Sequence, residues 1–239
     1  EAARAGADLL FGTRFESAGL ADDRIRIAGL GLEARYLLGA DGAKSRVAEC
    51  FGLGRNTEFL IGMETEYEET PTVDPEYLHC FVDSALAPGY LGWVVPGVGM
   101  TQAGLAVSAS PFGAERKPDY TAFHKRANAF FDLTNCEVRH KRSGPIPCGG
   151  LVHPLSSRRV LLTGDAAGLV SPLTAGGIRL AFQYGRRAGA TIANYLQDGA
   201  PDPGVLMARE YPRFGLKSWM RRAWSAAPPN ALINATLFT

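Results

Sequence analysis

The sequence lacks any run approaching the ~20 consecutive apolar residues of a membrane-crossing helix. It also lacks a dominant charge: 25 Lys and Arg stand against 24 Asp and Glu, a formal net charge of +1. That balance excludes a global electrostatic bias toward nucleic acid. Cysteine is sparse, and Cys50, Cys80, Cys136 and Cys148 form no Cys-x-x-Cys pair. Neither a disulfide framework nor a metal site is expected, and a reducing cytoplasm is the simplest setting. The histidines, His79, His124, His140 and His153, have no metal-ligand spacing. Glu1-Ala-Ala-Arg4 lacks the basic start and apolar stretch of a secretion signal. No internal repeat or low-complexity tract is visible. What is present is 46% hydrophobic and 21% charged over 239 residues, which suits a soluble globular protein with a real core.

Along the chain, Glu1 to Gly6 reads as the last turn of a helix stopped by Gly6, and Ala7 to Phe15 as a strand. After the Asp22-Asp23 turn, Arg24 to Ile27 alternates like a half-buried strand. Ala34 to Leu38 is a further strand, followed by a short helix from Lys44 to Phe51. The pattern then changes. Residues 59–69, 77–82, 91–95 and 102–108 read as four strands of an antiparallel sheet, separated by Pro, Gly and Asp turns. Tyr120, Phe123, Ala127, Phe130 and Phe131 fall at helical spacing and predict a helix from Asp119 to Leu133, with a short strand at Val138 to Lys141. Val160 to Thr163 is a short apolar strand of the buried parallel type. From Gly177 a helix carries Ala181, Gly185, Ala188, Gly189, Ile192, Ala193 and Leu196 on one side, small enough to lie close on a sheet.

Two strand–turn–helix motifs carry the chemistry. In the second, Arg159 to Ile178, Asp165 stands at the C-terminal end of a parallel strand, where open α/β sheets bind ligands. A carboxylate there can accept hydrogen bonds from the vicinal hydroxyls of a ribityl or ribose chain. Gly164 permits the turn, Ala166, Ala167 and Gly168 keep the ligand path clear, and Pro172 stiffens the loop. Gly176, Gly177 and Ile178 open a helix whose first amides favour nearby negative charge, such as the N1–C2=O edge of a reduced flavin. In the first motif, Gly39-Ala-Asp-Gly-Ala-Lys-Ser-Arg46, Asp41 follows a strand, Gly42 turns and Arg46 can hold a carboxylate or phosphate. The plainer reading of each motif is a capped helix, with an Asp41–Arg46 ion pair in the first.

The paired motifs resemble the DG and GD motifs of group A FAD-dependent oxidoreductases, the p-hydroxybenzoate hydroxylase superfamily. Pro88-Gly-Tyr-Leu-Gly-Trp-Val-Val-Pro96 and Gly144-Pro-Ile-Pro-Cys-Gly-Gly150 resemble the geranylgeranyl reductase branch. The resemblance covers most of residues 1–200. It implies that Asp41 supports the FAD pyrophosphate region, that Asp165 holds the ribityl chain, and that the amides of Gly176 to Ile178 touch the flavin ring. It also implies that Tyr90, Trp93 and Pro96 line a substrate cavity. Tyr90 and Trp93 are three apart where the branch has two, and Val95 stands where Phe is common. The superfamily has a Gly-x-Gly-x-x-Gly turn near its N-terminus. Gly29-Leu-Gly-Leu-Glu-Ala34 matches its looser form in letters only, because no helix fits before Gly39. The chain is therefore expected to lack the first β-α-β unit and to bind FAD poorly by itself.

The expected fold class is α/β, α+β overall: a partial FAD/NAD(P)-binding Rossmann-like domain interrupted by an antiparallel β-sheet substrate domain. The expected divisions are residues 1–58 and 144–200 for the FAD side, 59–143 for the substrate side and 201–239 for a C-terminal helical segment. The expected function is an FAD-dependent oxidoreductase, its flavin reduced by NAD(P)H, that either reduces a carbon–carbon double bond of an apolar small molecule or hydroxylates an organic substrate. The alternative is a non-catalytic flavin-fold remnant that binds an apolar ligand. No general acid or base stands out, and Cys148 reads as a buried, inert thiol. Leu216 to Trp224 suits either peripheral membrane contact or packing of a terminal helix.

Overall fold

The computed structural model describes residues 1–68, 70, 72–109, 117–225 and 230. A 3-10 turn, Ala3–Ala5, ends at Gly6 with φ +87°, as the glycine stop implies. The strand expected over Ala7 to Phe15 is absent, and Leu9, Leu10 and Phe11 are exposed. A strand exists only through its ladder, and among the described residues no partner lies beside this stretch.

β1 (Ala18–Ala21), β2 (Arg24–Ile27) and β3 (Leu32–Ala34) form an antiparallel meander. Its first turn puts Asp22 and Asp23 at φ +48° and +62°, the left-handed pair that a two-residue hairpin requires. Asp23 is held there by Arg158 and Arg159. Gly29 and Gly31 make the β2–β3 turn, so the Gly-x-Gly letters belong to a hairpin and not to a dinucleotide site. The single strand expected from Ala34 to Leu38 is divided. Ala34 pairs with Ile25 in the meander, whereas β4 (Leu37–Gly39) joins another sheet. α1 (Arg46–Cys50) follows, capped by Ser45, whose hydroxyl accepts from the Ala48 amide at 2.9 Å.

β5 (Phe59–Glu68), β6 (His79–Phe81), β7 (Gly92–Gly97) and β8 (Met100–Ser108) come next, in the four expected places. Glu69, expected to end the first, lies outside the described residues. α2 (Tyr120–Asn128) stops five residues short of the expected Leu133, because the Asn128 side chain accepts from the amides of Leu133 and Thr134 and wraps the chain back. β9 (Val138–Pro147) is longer than the expected Val138 to Lys141 and runs past residue 144. Pro145 and Pro147 are tolerated because β9 is an edge strand, in a sheet ordered β6-β7-β8-β5-β9. The α2 face of this sheet buries Val94, Leu105, Phe123 and Leu133. The Phe123 ring is seated on Gly92, where a Cβ would come within 2.6 Å of it. Full burial of such a ring contributes about 1.5–3 kcal/mol.

β10 (Ser156–Ser157) pairs antiparallel with β11 (Val160–Leu162), and β11 pairs parallel with β4. All three residues of β11 are fully buried, as their unbroken apolar run requires. α3 (Ile178–Asp198), α4 (Pro203–Glu210) and α5 (Gly215–Ser225) complete the described elements. Of the C-terminal segment expected over 201–239, residues 226–229 and 231–239 lie outside the described residues. α3 buries Tyr184 and Ala188. The rest of its small-residue face is more open than expected: a Cβ on Gly185 or Gly189 would meet nothing within 4 Å among the described residues. The result is a mixed α/β fold in which the parallel β4–β11 pair and the five-stranded antiparallel sheet are separate units.

Candidate functional site

The parallel pairing of β4 with β11 brings the two glycine–aspartate turns side by side. Gly39 ends β4 in close packing, where a Cβ would lie 2.8 Å from Leu162 and 2.9 Å from Val47. Asp41 then caps α1. Its Oδ2 accepts from the amides of Arg46 (2.7 Å) and Val47 (3.0 Å), and its Oδ1 from the Ser45 hydroxyl (2.6 Å). Gly42, at φ +85°, makes the turn between them. The Arg46 guanidinium donates to Glu16 O at 3.2 Å and pairs with Glu49 at 2.6 Å, in place of an ion pair with Asp41. Asp41 thus shapes the turn, while Arg46 stays more than half exposed at its rim.

After β11, Gly164 takes φ +57° and starts a 3-10 turn, Gly164–Ala167, closed by Gly168 at φ +69°. Gly168 abuts the carbonyl of Gly150 so closely that no side chain could be placed there. The Ala166 side chain is buried in the core, so only its backbone can meet a ligand. Asp165 is half-buried, and no donor to its carboxylate lies among the described residues. Burial alone holds its carboxyl above the usual carboxylate range.

The next loop closes on itself: the Ala175 amide donates to Ser171 O (2.9 Å) and the Ser171 amide to Gly176 O (3.1 Å). Pro172 is buried within it, and Ala175 is held in the left-handed region at φ +48°. Gly177 caps α3 without a side-chain acceptor, and the first turn of that 21-residue helix holds no acid. A Cβ on Gly177 would lie 3.4 Å from Asp165 Oδ1, so the carboxylate and the helix start share one cleft. A cavity of about 510 Å³ opens beside it, lined by Ser171, Thr174, Gly176, Ile178, Phe214 and Lys217 among others. The Ile178 side chain is 79% exposed at its mouth.

The antiparallel sheet meets this cleft through Tyr90, whose hydroxyl donates to Thr174 O at 2.7 Å. Burial pushes the Tyr90 hydroxyl up to about 12, opposed by the nearby Arg221, so it stays a donor. Trp93 lies over Gly104 and donates to Glu64 Oε2 at 3.0 Å. Tyr90 and Trp93 pack with Leu60, Ala106, Cys148 and Ala175, next to the loop. Pro96 does not join them. It shares strand parity with Gly92 and Val94, which face α2, so it belongs to the opposite side of the sheet. Cys148 is buried, which raises its thiol above the ordinary value and favours the inert form.

Asn56, which carries no motif signal, joins the two turns. Its Nδ2 donates to Ala43 O at 3.0 Å and to Asp165 O at 2.8 Å, the latter 109 residues away. The arrangement offers hydroxyl-accepting capacity at Asp165, uncapped amides at the start of α3 and a glycine-lined path between them. Those features fit a polyol chain leading to an electron-rich ring edge, as in FAD.

Asn56→Ala should cost about 1–2 kcal/mol by removing the bonds to Ala43 O and to Asp165 O, the latter keeping the Gly168 amide. A lowered urea midpoint with unchanged slope is the expected result; an unshifted midpoint would mean the turns are held together elsewhere. Asp165→Asn tests the desolvated carboxylate. With its folded pKa raised, Asp165 favours folding in acid and loses that contribution as pH rises through the folded value. The Asn variant, flavin-free, should therefore melt higher than wild type at pH 7, with the gain fading toward pH ~4. An equal gain at both ends, or none, would contradict this.

A model of the family described as FAD binding domain matches residues 1–210. Digeranylgeranylglycerophospholipid reductase 2 of Methanosphaera stadtmanae is 30% identical over 209 residues, 83% of this chain and 52% of that protein. The digeranylgeranylglycerophospholipid reductase of Methanosarcina acetivorans is 29% identical over 213 residues, 83% of this chain and 51% of its own length. The chain spans about half the length of these curated relatives. Among solved structures, a geranylgeranyl bacteriochlorophyll reductase-like protein of Thermoplasma acidophilum gives a TM-score of 0.80 at 22% identity, covering 98% of this chain and 63% of that one. PqsL of Pseudomonas aeruginosa, a probable FAD-dependent monooxygenase, gives 0.58 at 19% identity, covering 84% and 57%. At these identities the solved structures bear on the fold alone. The paired turns, the cleft between them and the match over residues 1–210 agree, and the chain belongs to the FAD-binding-domain family.

Proposed function

We propose that this protein is an FAD-dependent oxidoreductase that reduces a carbon–carbon double bond of an apolar, isoprenoid-like small molecule, its flavin being reduced by NAD(P)H. The observation that carries the reading is the half-buried Asp165 carboxylate facing the uncapped start of α3, with Tyr90 tied to the same loop. FAD, when bound, supplies the hydride chemistry; the chain supplies position and field. Asp165 would accept from the ribityl hydroxyls, reached through Gly164 and Gly168. The amides of Gly176, Gly177 and Ile178, with Pro172 stiffening their loop, would face the electron-rich edge of the ring. Asp41 acts by shaping the turn at Gly42, and Arg46 stands at the phosphate end. Tyr90 and Trp93 line the substrate side, where their rings exclude water from the reacting face.

The names of the curated relatives favour reduction. Hydroxylation is the second reading, favoured by the resemblance of the paired glycine–aspartate motifs to those of the p-hydroxybenzoate hydroxylase superfamily. Residues 1–58 and 144–200 would make the flavin side and 59–143 the substrate side, except that residues 144–147 continue β9 and so belong with the antiparallel sheet. Among the described residues no helix is long and apolar enough to cross a membrane. α5 exposes Leu216 and Trp219 beside Lys217, a face suited to peripheral membrane contact from a cytoplasmic location.

The test uses the full-length protein. Flavin absorption bands that bleach with NADPH under anaerobic conditions, and return on adding an unsaturated isoprenoid lipid, are the expected result. Return only with oxygen and a hydroxylated product would favour the second reading. A colourless protein that takes up no added FAD would leave the non-catalytic remnant as the better account.

A further inference from the structure

A second cavity, of about 430 Å³, opens where the chain leaves α4 and enters α5. Gly150, Leu151, His153, Arg213, Phe214 and Ser218 line it among others, and no acid is found among its described lining residues. Gly150 takes φ +89°, and Ser218 Oγ lies 3.4 Å from where its Cβ would stand. The amides on either side of this turn are used: Cys148 donates to Glu58 O at 3.0 Å and Val152 to Ala167 O at 3.1 Å. The three amides between them, Gly149 to Leu151, have no acceptor among the described residues. Successive free amides in a turn favour an anion. Arg213 and His153 are both exposed, so a ligand can reach them. The acids nearby are taken: Glu210 pairs with Arg187 at 3.2 Å and Glu58 with Arg222 at 3.5 Å. Arg213 has no acid within ion-pair reach among the described residues. The cavity adjoins the flavin cleft, because Phe214 lines both and the Gly150 carbonyl abuts Gly168 of the second glycine–aspartate turn.

We propose that this cavity binds a phosphate group on a phosphorylated ligand whose other end reaches the flavin cleft past Phe214. The link to the cleft rests on the flavin reading above; the phosphate site does not. Every polar group that lines the cavity can donate: a guanidinium fork, an imidazole, a hydroxyl and backbone amides. A guanidinium fork matches the geometry of phosphate oxygens, and amides and hydroxyls satisfy the oxygens that the fork leaves. An apolar ligand would gain little from such a lining, and a cation would be repelled by Arg213. Two ligands of the proposed reaction can carry the group, the substrate and a dinucleotide electron donor. The cavity is built for the phosphate that they share, and it stands apart from Arg46, at the phosphate end of the cofactor site.

The experiment titrates full-length, flavin-loaded protein with sodium pyrophosphate in a calorimeter, with sodium chloride at matched ionic strength as the control. Wild type should bind pyrophosphate, and Arg213→Gln should weaken it roughly tenfold. Arg209→Gln should leave it unchanged, because Arg209 is an exposed arginine of α4 outside the cavity lining. Both arginines are exposed, so neither change disturbs a core. Two further probes find the source of the phosphate. A raised half-saturating NADPH concentration for flavin bleaching in Arg213→Gln assigns it to the electron donor. Weaker binding of geranylgeranyl diphosphate, with geranylgeraniol unchanged, assigns it to the substrate. Four results would overturn the proposal: no pyrophosphate binding beyond that of chloride; equal behaviour of the Arg213 and Arg209 variants; binding to flavin-free protein only, which would give the cavity to the cofactor's own pyrophosphate; or NADPH and geranylgeranyl diphosphate both unaffected by Arg213→Gln. A colourless protein that binds pyrophosphate through Arg213 would retire the flavin reading and leave the phosphate site standing.

Discussion

The arrangement depends on the parallel contact between Leu37–Gly39 and Val160–Leu162. Each strand has three residues, and neither would persist alone. The contact is extended at both ends by backbone bonds, Leu37 N to Arg159 O and Thr163 N to Gly39 O, each 2.9 Å. Because parallel strands place their C-terminal ends together, both glycine–aspartate turns emerge on one edge. Asn56 then fixes the turns to each other from outside the strands. The close packing of Gly39 against Leu162 shows how little slack the junction has.

Between the two halves of that contact, the chain makes the five-stranded sheet. Its two faces have different work. The α2 face is an ordinary hydrophobic core, with Phe123 seated on Gly92. The opposite face is lined by small residues under Trp93 and reaches the cleft through the Tyr90–Thr174 bond. The β4–β11 side is thus a junction of short strands, and the five-stranded sheet is a larger surface joined to it by the Tyr90–Thr174 bond and by packing of Tyr90 and Trp93 with Ala175. A desolvated carboxylate, Asp165, lies where they meet. Burying such a group weakens the fold, and a ligand hydroxyl would relieve it.

The turns were legible because glycine and aspartate there answer to local backbone demands: Gly42, Gly164 and Gly168 all have positive φ. The apolar run of β11 and the alternation of β2 were legible for the same local reason. Ala7 to Phe15 misled because strand-like composition does not supply a partner. β9 was cut short because its charges and prolines look like a loop, although an edge strand tolerates both. The misplacement of Pro96 was avoidable: its parity with Val94 was already in the sequence. Asn56 was not legible, because it acts through a contact with Asp165, 109 residues away.

The most direct measurement is a crystal structure of the full-length protein with FAD bound. The account predicts the ribityl hydroxyls on the Asp165 carboxylate and the flavin ring between the amides of Gly176 to Ile178 and the Tyr90–Trp93 face of the sheet. FAD seated elsewhere, with Asp165 still lacking a hydroxyl partner, would contradict it.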